Sequence, residues 1–290
     1  MKTSLAIRSL TADDLGFADE VRVAAGWNQT RIDWKRLLAL NPQGCFVAEW
    51  EGVPVGTVTT TCFGDSSAWI GMVLVRPNFR KKGVATDLLK HAIKYLKGRK
   101  IKCIKLDAAT QGQAVYKKLG FKPLWRLHRW EWKGSREDLM RHRVPRDIFL
   151  RELDTRDLPK VMELDREVFG VDRSRLINAL LADAVRSTVW DLYSDIESYG
   201  MIRPGAEADY LGPVVSTSEH HAHIVIRDLI SRSSSEHIYW DIPDSNKKAR
   251  EIAVSIGFEK VRPLLRMCAG RDSGAGIPES QYAITDPSTG

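Results

Sequence analysis

The spacing of apolar residues changes period several times along the chain. In CFVAEWEGVPVGTVTTT, apolar positions alternate on both sides of Glu51-Gly52, which predicts two strands joined as a hairpin. AWIGMVLVRP predicts a third strand, ended by Pro77. The next apolar residues, Val84, Ala85, Leu88, Leu89, Ala92, Ile93 and Leu96, fall on one helical stripe. IKCIKLDA follows as a buried-type strand, GQAVYKKLGF as a short helix closed by Gly120, and KPLWRLHRWEW as another strand. Strands predominate and helices connect several of them, so the pattern predicts an α/β architecture of sheet and flanking helices.

The pattern then returns. AIRSLTADDL (Ala6 to Leu15) and FLRELDTRDL (Phe149 to Leu158) align without gaps, each reading as a strand that leads into a helix. At the same offset Leu37-Leu38 falls on Leu180-Leu181, and LGF (Leu119 to Phe121) later falls on IGF (Ile256 to Phe258). Matches in one order at nearly one offset indicate a unit used twice. The expected organisation is a first domain over residues 1–133, a linker over 134–148, a second domain over 149–270 and a tail over 271–290 that returns to the body at Tyr282-Ala283-Ile284.

A chain of 290 residues with 43% apolar and 28% charged residues is that of an ordinary globular protein of about two domains. The apolar runs are too short for a membrane span and no signal peptide is visible, so the expected location is the cytoplasm. Cys45, Cys62, Cys103 and Cys268 lie far apart without a CxxC pair, which argues for reduced thiols rather than a zinc knuckle or disulfide framework. His220, His221, His223 and His237 read as a polar surface run, and no metal is expected. The net charge of +7 is unevenly spread: residues 1–145 hold 26 Lys and Arg against 13 Asp and Glu, leaving 18 against 24 for the remainder. The first half therefore suits an anion, whether nucleic acid or a phosphorylated cofactor. WRLHRWEW alternates as a strand would, which makes nucleic acid the weaker choice.

RKKGVATDLL places three cations and a glycine before the helical stripe. A helix start exposes unpaired N–H groups, and glycine lets an anion approach them; a phosphate is the natural ligand, a solvated turn the alternative. VLVRPNFRKKGVATDLL resembles the acyl-CoA-binding signature of the GNAT superfamily of N-acyltransferases, Arg/Gln-x-x-Gly-x-Gly/Ala, here Arg80 to Ala85. LDAATQGQAVYKKLGF (Leu106 to Phe121) is similar to the second cofactor-contacting element of that family. The resemblance covers about Leu5 to Trp132, and the chain as a whole resembles bacterial tandem GNAT proteins with a degenerate second half.

The resemblance implies two tandem GNAT-like domains, each a mixed, mostly antiparallel sheet flanked by helices. It implies an acetyl-CoA-dependent N-acyltransferase acting on a small-molecule primary amine, with a non-catalytic acyl-CoA-binding or sensor protein as the alternative. Val73, Leu74 and Val75 are then expected to pair with the pantetheine arm. Lys81, Lys82, Gly83, Val84, Ala85 and Thr86 are expected to hold the pyrophosphate through their N–H groups, with Arg80 and Lys82 adding side-chain contacts. Tyr116, four residues before Gly120, is the expected acid for the departing thiolate. The base is open among Asp107, Glu49, His128 and a water chain. An asparagine used by the family is replaced by Ala109, which leaves that contact absent or moved to Thr110 or Gln111.

Aligned without gaps, Gly71–Leu89 and Gly212–Ile230 match Asp87-Leu88 to Asp228-Leu229 and place His221 under Arg80 and Ile224 under Gly83; the LGF and IGF match makes Ala253 the equivalent of Tyr116, so no second cofactor site is expected. The second half either closes one side of the acceptor site, through Asp165, Phe169, Asp172 and Arg173, or serves packing or a homodimer.

Overall fold

The structure is a computed structural model and describes residues 5–141, 149–193, 195–272 and 276–290. In chain order its elements are β1 (Leu5–Ser9), α1 (Leu15–Val23), α2 (Arg31–Leu40), β2 (Phe46–Trp50), β3 (Val53–Phe63), β4 (Ser67–Val75), α3 (Val84–Gly98), β5 (Cys103–Ala109), α4 (Gln113–Lys118), β6 (Lys122–Lys133) and α5 (Arg136–Arg141). The second copy supplies β7 (Leu150–Glu152), α6 (Leu158–Phe169), α7 (Ser174–Leu181), β8 (Arg186–Leu192), β9 (Asp195–Arg203), β10 (Asp209–Ser216), α8 (Glu219–Arg232), β11 (His237–Pro243), α9 (Lys247–Ile256), β12 (Glu259–Gly270) and β13 (Gln281–Ala283). Of the expected linker, residues 142–148 lie outside the described residues.

The chain forms two compact units that are not contiguous in sequence. The first comprises Met1–Pro123, Met267–Ser273 and Pro287–Thr289; the second comprises Leu124–Arg266, Gly274–Asp286 and Gly290. Most of β6 thus groups with the second unit, and the tail contributes to both.

In the first unit the strand order is β1-β2-β3-β4-β5, and the Met267–Gly270 end of β12 follows β5. The β2–β3 hairpin turns through Glu51 (φ 52°) and Gly52 (φ 81°), two left-handed residues that match the twist of the flanking strands. Side-chain alternation separates the faces. On one face, a Cβ at Gly56 would meet Leu88 and Val84 of α3 at 3.1 and 3.2 Å. On the other, Val47, Met72 and Leu74 pack with Leu15, Ala18 and Val21 of α1 and Trp34 and Leu37 of α2. Cys103 and Cys268 bring their sulfurs to 3.2 Å as free thiols.

In the second unit the order is β12-β6-β11-β10-β9-β8-β7, with β13 beside β10. Its core gathers Val225, Ile226 and Leu229 of α8, Ile252 of α9 and Trp240 of β11. Arg129 of β6 donates to both carboxylate oxygens of Asp241 on β11, at 2.9 and 2.7 Å, and the Tyr210 hydroxyl donates to the same group at 2.6 Å. Nothing in the periodicity of the strands pointed to this buried ion pair, because a charged pair inside a sheet has no local sequence pattern.

Candidate active site

Two features of β4 make room at the middle of the first unit. Between Gly71 and Leu74 the strand carries one residue more than its partner β3, with Met72 at φ 49°, and Thr57 bonds the Met72 carbonyl at 2.9 Å. This is a β-bulge, which bends the strand and breaks its ladder. On its other edge β4 pairs with β5 in parallel only over Ser67–Trp69. Beyond Trp69 the two strands part, and Val73, Leu74 and Val75 lie past that fork.

The same arrangement recurs in the second unit. Ile202 and Gly200 of β9 oppose Leu211 and Val214 of β10, which again sets one intervening residue against two, and β10 pairs in parallel with β11 only over Asp209–Leu211. There, however, β13 pairs with Val214 and Val215, and Trp240 donates its indole N–H to the Tyr282 carbonyl at 2.8 Å. The chain itself occupies the edge of β10 that lies past the fork.

The loops that follow also differ. Eight residues connect β4 to α3, whereas two connect β10 to α8. In the longer loop Lys81 (φ 62°) and Gly83 (φ 89°) are left-handed, an alternation that gathers N–H groups around an anion. Gly83 is the residue before α3, and a Cβ there would meet nothing within 4 Å. Arg80, Lys81, Lys82 and Gly83 are exposed, while Val84 is buried in the core and Ala85 and Thr86 are half-buried. Arg80 donates from Nε to the Val75 carbonyl at 3.1 Å, and the Lys82 ammonium lies 4.9 Å from the Phe79 ring centre and 5.6 Å from that of Trp50. No carboxylate pairs with these three cations among the described residues. A bare backbone cradle rimmed by uncompensated cations fits a pyrophosphate.

The short loop of the second unit corrects the gapless alignment. Ile224 lies inside α8, and the residue before that helix is Ser218, whose side chain caps it. The second copy thus lacks the phosphate cradle because the loop is shortened, and not because isoleucine fills a glycine position. His221 stacks on Trp190 at 3.4 Å between centroids, with Nδ1 3.0 Å from Glu197. Among the described residues no three His, Cys, Asp or Glu side chains gather to hold a metal.

Tyr116 stands on α4, its ring edge-on to Phe121 with centroids 6.0 Å apart. A Cβ at Gly112 would meet the Tyr116 ring at 2.8 Å, so the glycine leaves the space the ring occupies. Burial pushes the Tyr116 hydroxyl up to about 12, which keeps it protonated at neutral pH. Gly120 and its counterpart Gly257 both end their helices with left-handed φ, 89° and 94°, and put Ala253 where α4 has Tyr116.

The remaining candidates have other partners. Glu49 accepts from Arg8 at 2.8 Å, and His128 Nδ1 lies 2.6 Å from Asp244 in the second unit. Asp165 accepts both arms of Arg173 at 2.7 Å and a short bond from Tyr199, with Arg173 also 3.9 Å over the Phe169 ring. Asp165, Phe169 and Arg173 are buried, and Asp172 accepts from the Ser174 N–H at the start of α7 at 2.9 Å. Arg173 donates further to the Thr285 hydroxyl at 2.5 Å and to the Gly290 carbonyl at 2.8 Å, all within the second unit.

Comparison with known proteins agrees with this geometry. The model of the acetyltransferase (GNAT) family matches residues 10–121, and that of a second acetyltransferase (GNAT) domain matches 161–283. An uncharacterized N-acetyltransferase of Methanocaldococcus jannaschii is 31% identical over 136 residues, and the alignment spans 40% of this chain and 59% of that protein. A Pyrococcus horikoshii protein, provisionally described as an acetyltransferase, superposes with a TM-score of 0.84 over 99% of this chain and 96% of that one at 24% identity. A tandem GNAT protein from the clavulanic acid biosynthesis pathway superposes with a TM-score of 0.68 over 92% and 98% at 16% identity. With one such domain in each half, the chain belongs to the GNAT acetyltransferase family.

Proposed function

We propose that the first GNAT domain is an acyl-CoA-dependent N-acyltransferase that moves an acetyl group from acetyl-CoA to a primary amine of a small molecule by direct attack. The observation that carries this reading is the exposed cradle at Gly83, set at the end of a strand whose edge is released from β5. The second domain, with a two-residue loop and β13 on the edge of β10, is degenerate and holds no cofactor.

In this reading the edge of β4 over Val73–Val75 pairs with the amides of the pantetheine arm as an added strand does. The N–H groups from Lys81 to Thr86 hold the pyrophosphate, and Arg80 and Lys82 add charge at its rim. The bound thioester supplies the acyl group and a sulfur leaving group. A lysine-like ammonium is neutral only about once in a few thousand at pH 7, a cost of roughly 4–5 kcal/mol, so the neutral amine is the attacking form. Tyr116 donates its proton to the departing sulfur, the role of a general acid. Glu49 is held by Arg8 and His128 Nδ1 faces Asp244 within the second unit, so in this reading the amine proton passes to Asp107 or to a water chain.

Calorimetric titration with acetyl-CoA tests the reading. One site per chain, lost in Gly83→Ile, supports it. A stoichiometry near two, or binding unchanged in the variant, overturns the assignment of the cradle. Tight binding without turnover on any amine in a broad panel leaves an acyl-CoA sensor in its place.

A further inference from the structure

The tail residues Pro287–Thr289 belong to the first unit and lie against β4 at the fork. The Trp69 indole N–H donates to the Pro287 carbonyl at 3.2 Å, and Trp69 is the last residue of β4 that pairs with β5. At Gly71 a Cβ would stand 2.5 Å from the Ser288 carbonyl oxygen and 2.9 Å from its Cα, so only glycine at 71 lets the segment seat this closely. Ser288 and Thr289 are 4% and 2% exposed.

The face on which the segment lies follows from the register. Gly56 points at α3, and Thr59, three residues on, points away from it; Gly71 is opposite Thr59. Pro287–Thr289 therefore covers the α1 and α2 face of the sheet. The phosphate cradle heads α3, which packs on the opposite face. A cofactor seated in that cradle reaches the fork from the α3 face, so an acceptor must approach from the face that the segment lines.

We infer that Pro287–Thr289 is a fixed wall of the acyl-acceptor site, and that its position sets the size of amine the enzyme takes. This deepens the acyltransferase reading and rests on it. The flanking residues favour a built wall over a removable plug: the Gly290 N–H bonds the Asp286 carbonyl at 2.8 Å, and the Thr285 N–H bonds the Gly290 carbonyl at 3.2 Å. The segment is thus the crown of a closed turn with burial and an indole bond to hold it.

The test uses three versions of the full protein: Gly71→Ala, a chain ended at Asp286, and the two changes combined. Thermal unfolding reads the contact without any activity. Gly71→Ala lowers Tm in the full chain, and the same substitution changes Tm by less than about one degree in the shortened chain, where Ser288 is gone. An equal drop in both backgrounds removes the contact and with it the proposal. Acetyl-CoA titration and steady-state rates on primary amines of increasing bulk then read the wall. Shortening keeps acetyl-CoA affinity within about twofold and raises kcat/KM for bulky amines at least tenfold relative to the smallest. An unchanged ranking of amines, with acetyl-CoA binding and turnover retained, overturns the wall while leaving the acyltransferase reading intact. If the shortened chain does not fold, Gly71→Ala in the full chain carries the test: it displaces the segment, and the same shift in amine ranking is expected, its absence being the overturning result. Failure of the unaltered protein to bind acetyl-CoA instead overturns the acyltransferase reading itself.

Discussion

Arg8 grips Asp14 with both terminal nitrogens, at 2.7 and 2.8 Å. Arg151 grips Asp157 in the same way, at 2.6 and 2.8 Å, 143 residues later. Each aspartate also accepts the N–H of the residue three before it, Thr11 at 2.8 Å and Asp154 at 2.7 Å, and each stands immediately before its first long helix. Even the outer partner is repeated, since Glu49 and Asp191 each hold the back of the arginine. The duplication is thus visible in hydrogen bonds as well as in letters, and Glu49 is a part of a structural clamp.

The clamps predict an acid-dependent loss of stability. The Arg8 guanidinium holds Asp14 below the ordinary carboxylate range, and Arg151 does the same for Asp157. A depressed folded-state value means the contribution is complete above the unfolded value near 4 and fades as pH falls through the folded one. Asp14→Asn and Asp157→Asn are each expected to cost about 1–2 kcal/mol at pH 7 and to approach the unaltered protein as pH falls through the depressed folded-state value. Urea unfolding at several pH values checks this; equal penalties at every pH would show that charge is not the cause.

Tyr116→Phe is expected to lower kcat by about a hundredfold or more while acetyl-CoA affinity stays within about twofold. Because burial pushes the hydroxyl up to about 12, loss of its proton leaves no falling limb between pH 7 and 10. Over that range kcat/KM should rise with the neutral fraction of the amine and level off near the pKa of the amine. A decline beginning near pH 8 would exclude Tyr116 as the acid.

Gly112→Ala tests the placement of that hydroxyl. The added methyl presses on the Tyr116 ring, which is the movable end of a side chain, so folding is affected by less than about 1 kcal/mol while the hydroxyl shifts. A fall in kcat with unaltered KM for acetyl-CoA is the expected outcome. Unaltered kcat would mean that the position of the ring does not matter to the reaction.

Removing one partner of the buried Arg129–Asp241 pair should be the most damaging single change in the second unit. Burial opposes the Asp241 charge, yet Arg129 and Tyr210 together keep the carboxyl below its usual range. Asp241→Asn leaves a buried guanidinium without its counter-charge and is expected to cost about 3–5 kcal/mol. Arg129→Met combined with Asp241→Leu should recover most of that loss in urea unfolding; a double variant as unstable as the single one would point to Tyr210 as the part that matters.

Local features of the fold were legible in the sequence. The Glu51-Gly52 turn, the stripe on α3 and the cradle at Gly83 each depend on residues within a few positions of one another, and each appears where its pattern lies. Features made by distant segments were not. The seat of Ser288 on Gly71 joins residues more than 200 positions apart, and its only local signal is a glycine inside a strand, which also fits a bulge. The shortened loop before α8 was hidden for a different reason: matching Asp87-Leu88 to Asp228-Leu229 without gaps slides helix against loop, and only the observed helix start reveals the deletion. Asp165 and Arg173 were legible as chemically able residues, but their sequence could not say that each satisfies the other in the core.

The interleaving of the two units governs when each can finish during synthesis. The first unit takes Met267–Gly270 beside β5 and Pro287–Thr289 against β4, pieces that leave the ribosome 144 and 164 residues after Pro123. At about 5–20 residues per second that is a wait on the order of ten to thirty seconds. For this interval Lys105 lacks Asp272, its ion-pair partner at 2.9 Å, and the edge of β5 beside Cys103 stands open. The nascent first half is an unfinished body with an unpaired strand edge, and it passes to completion only when the second half has been made.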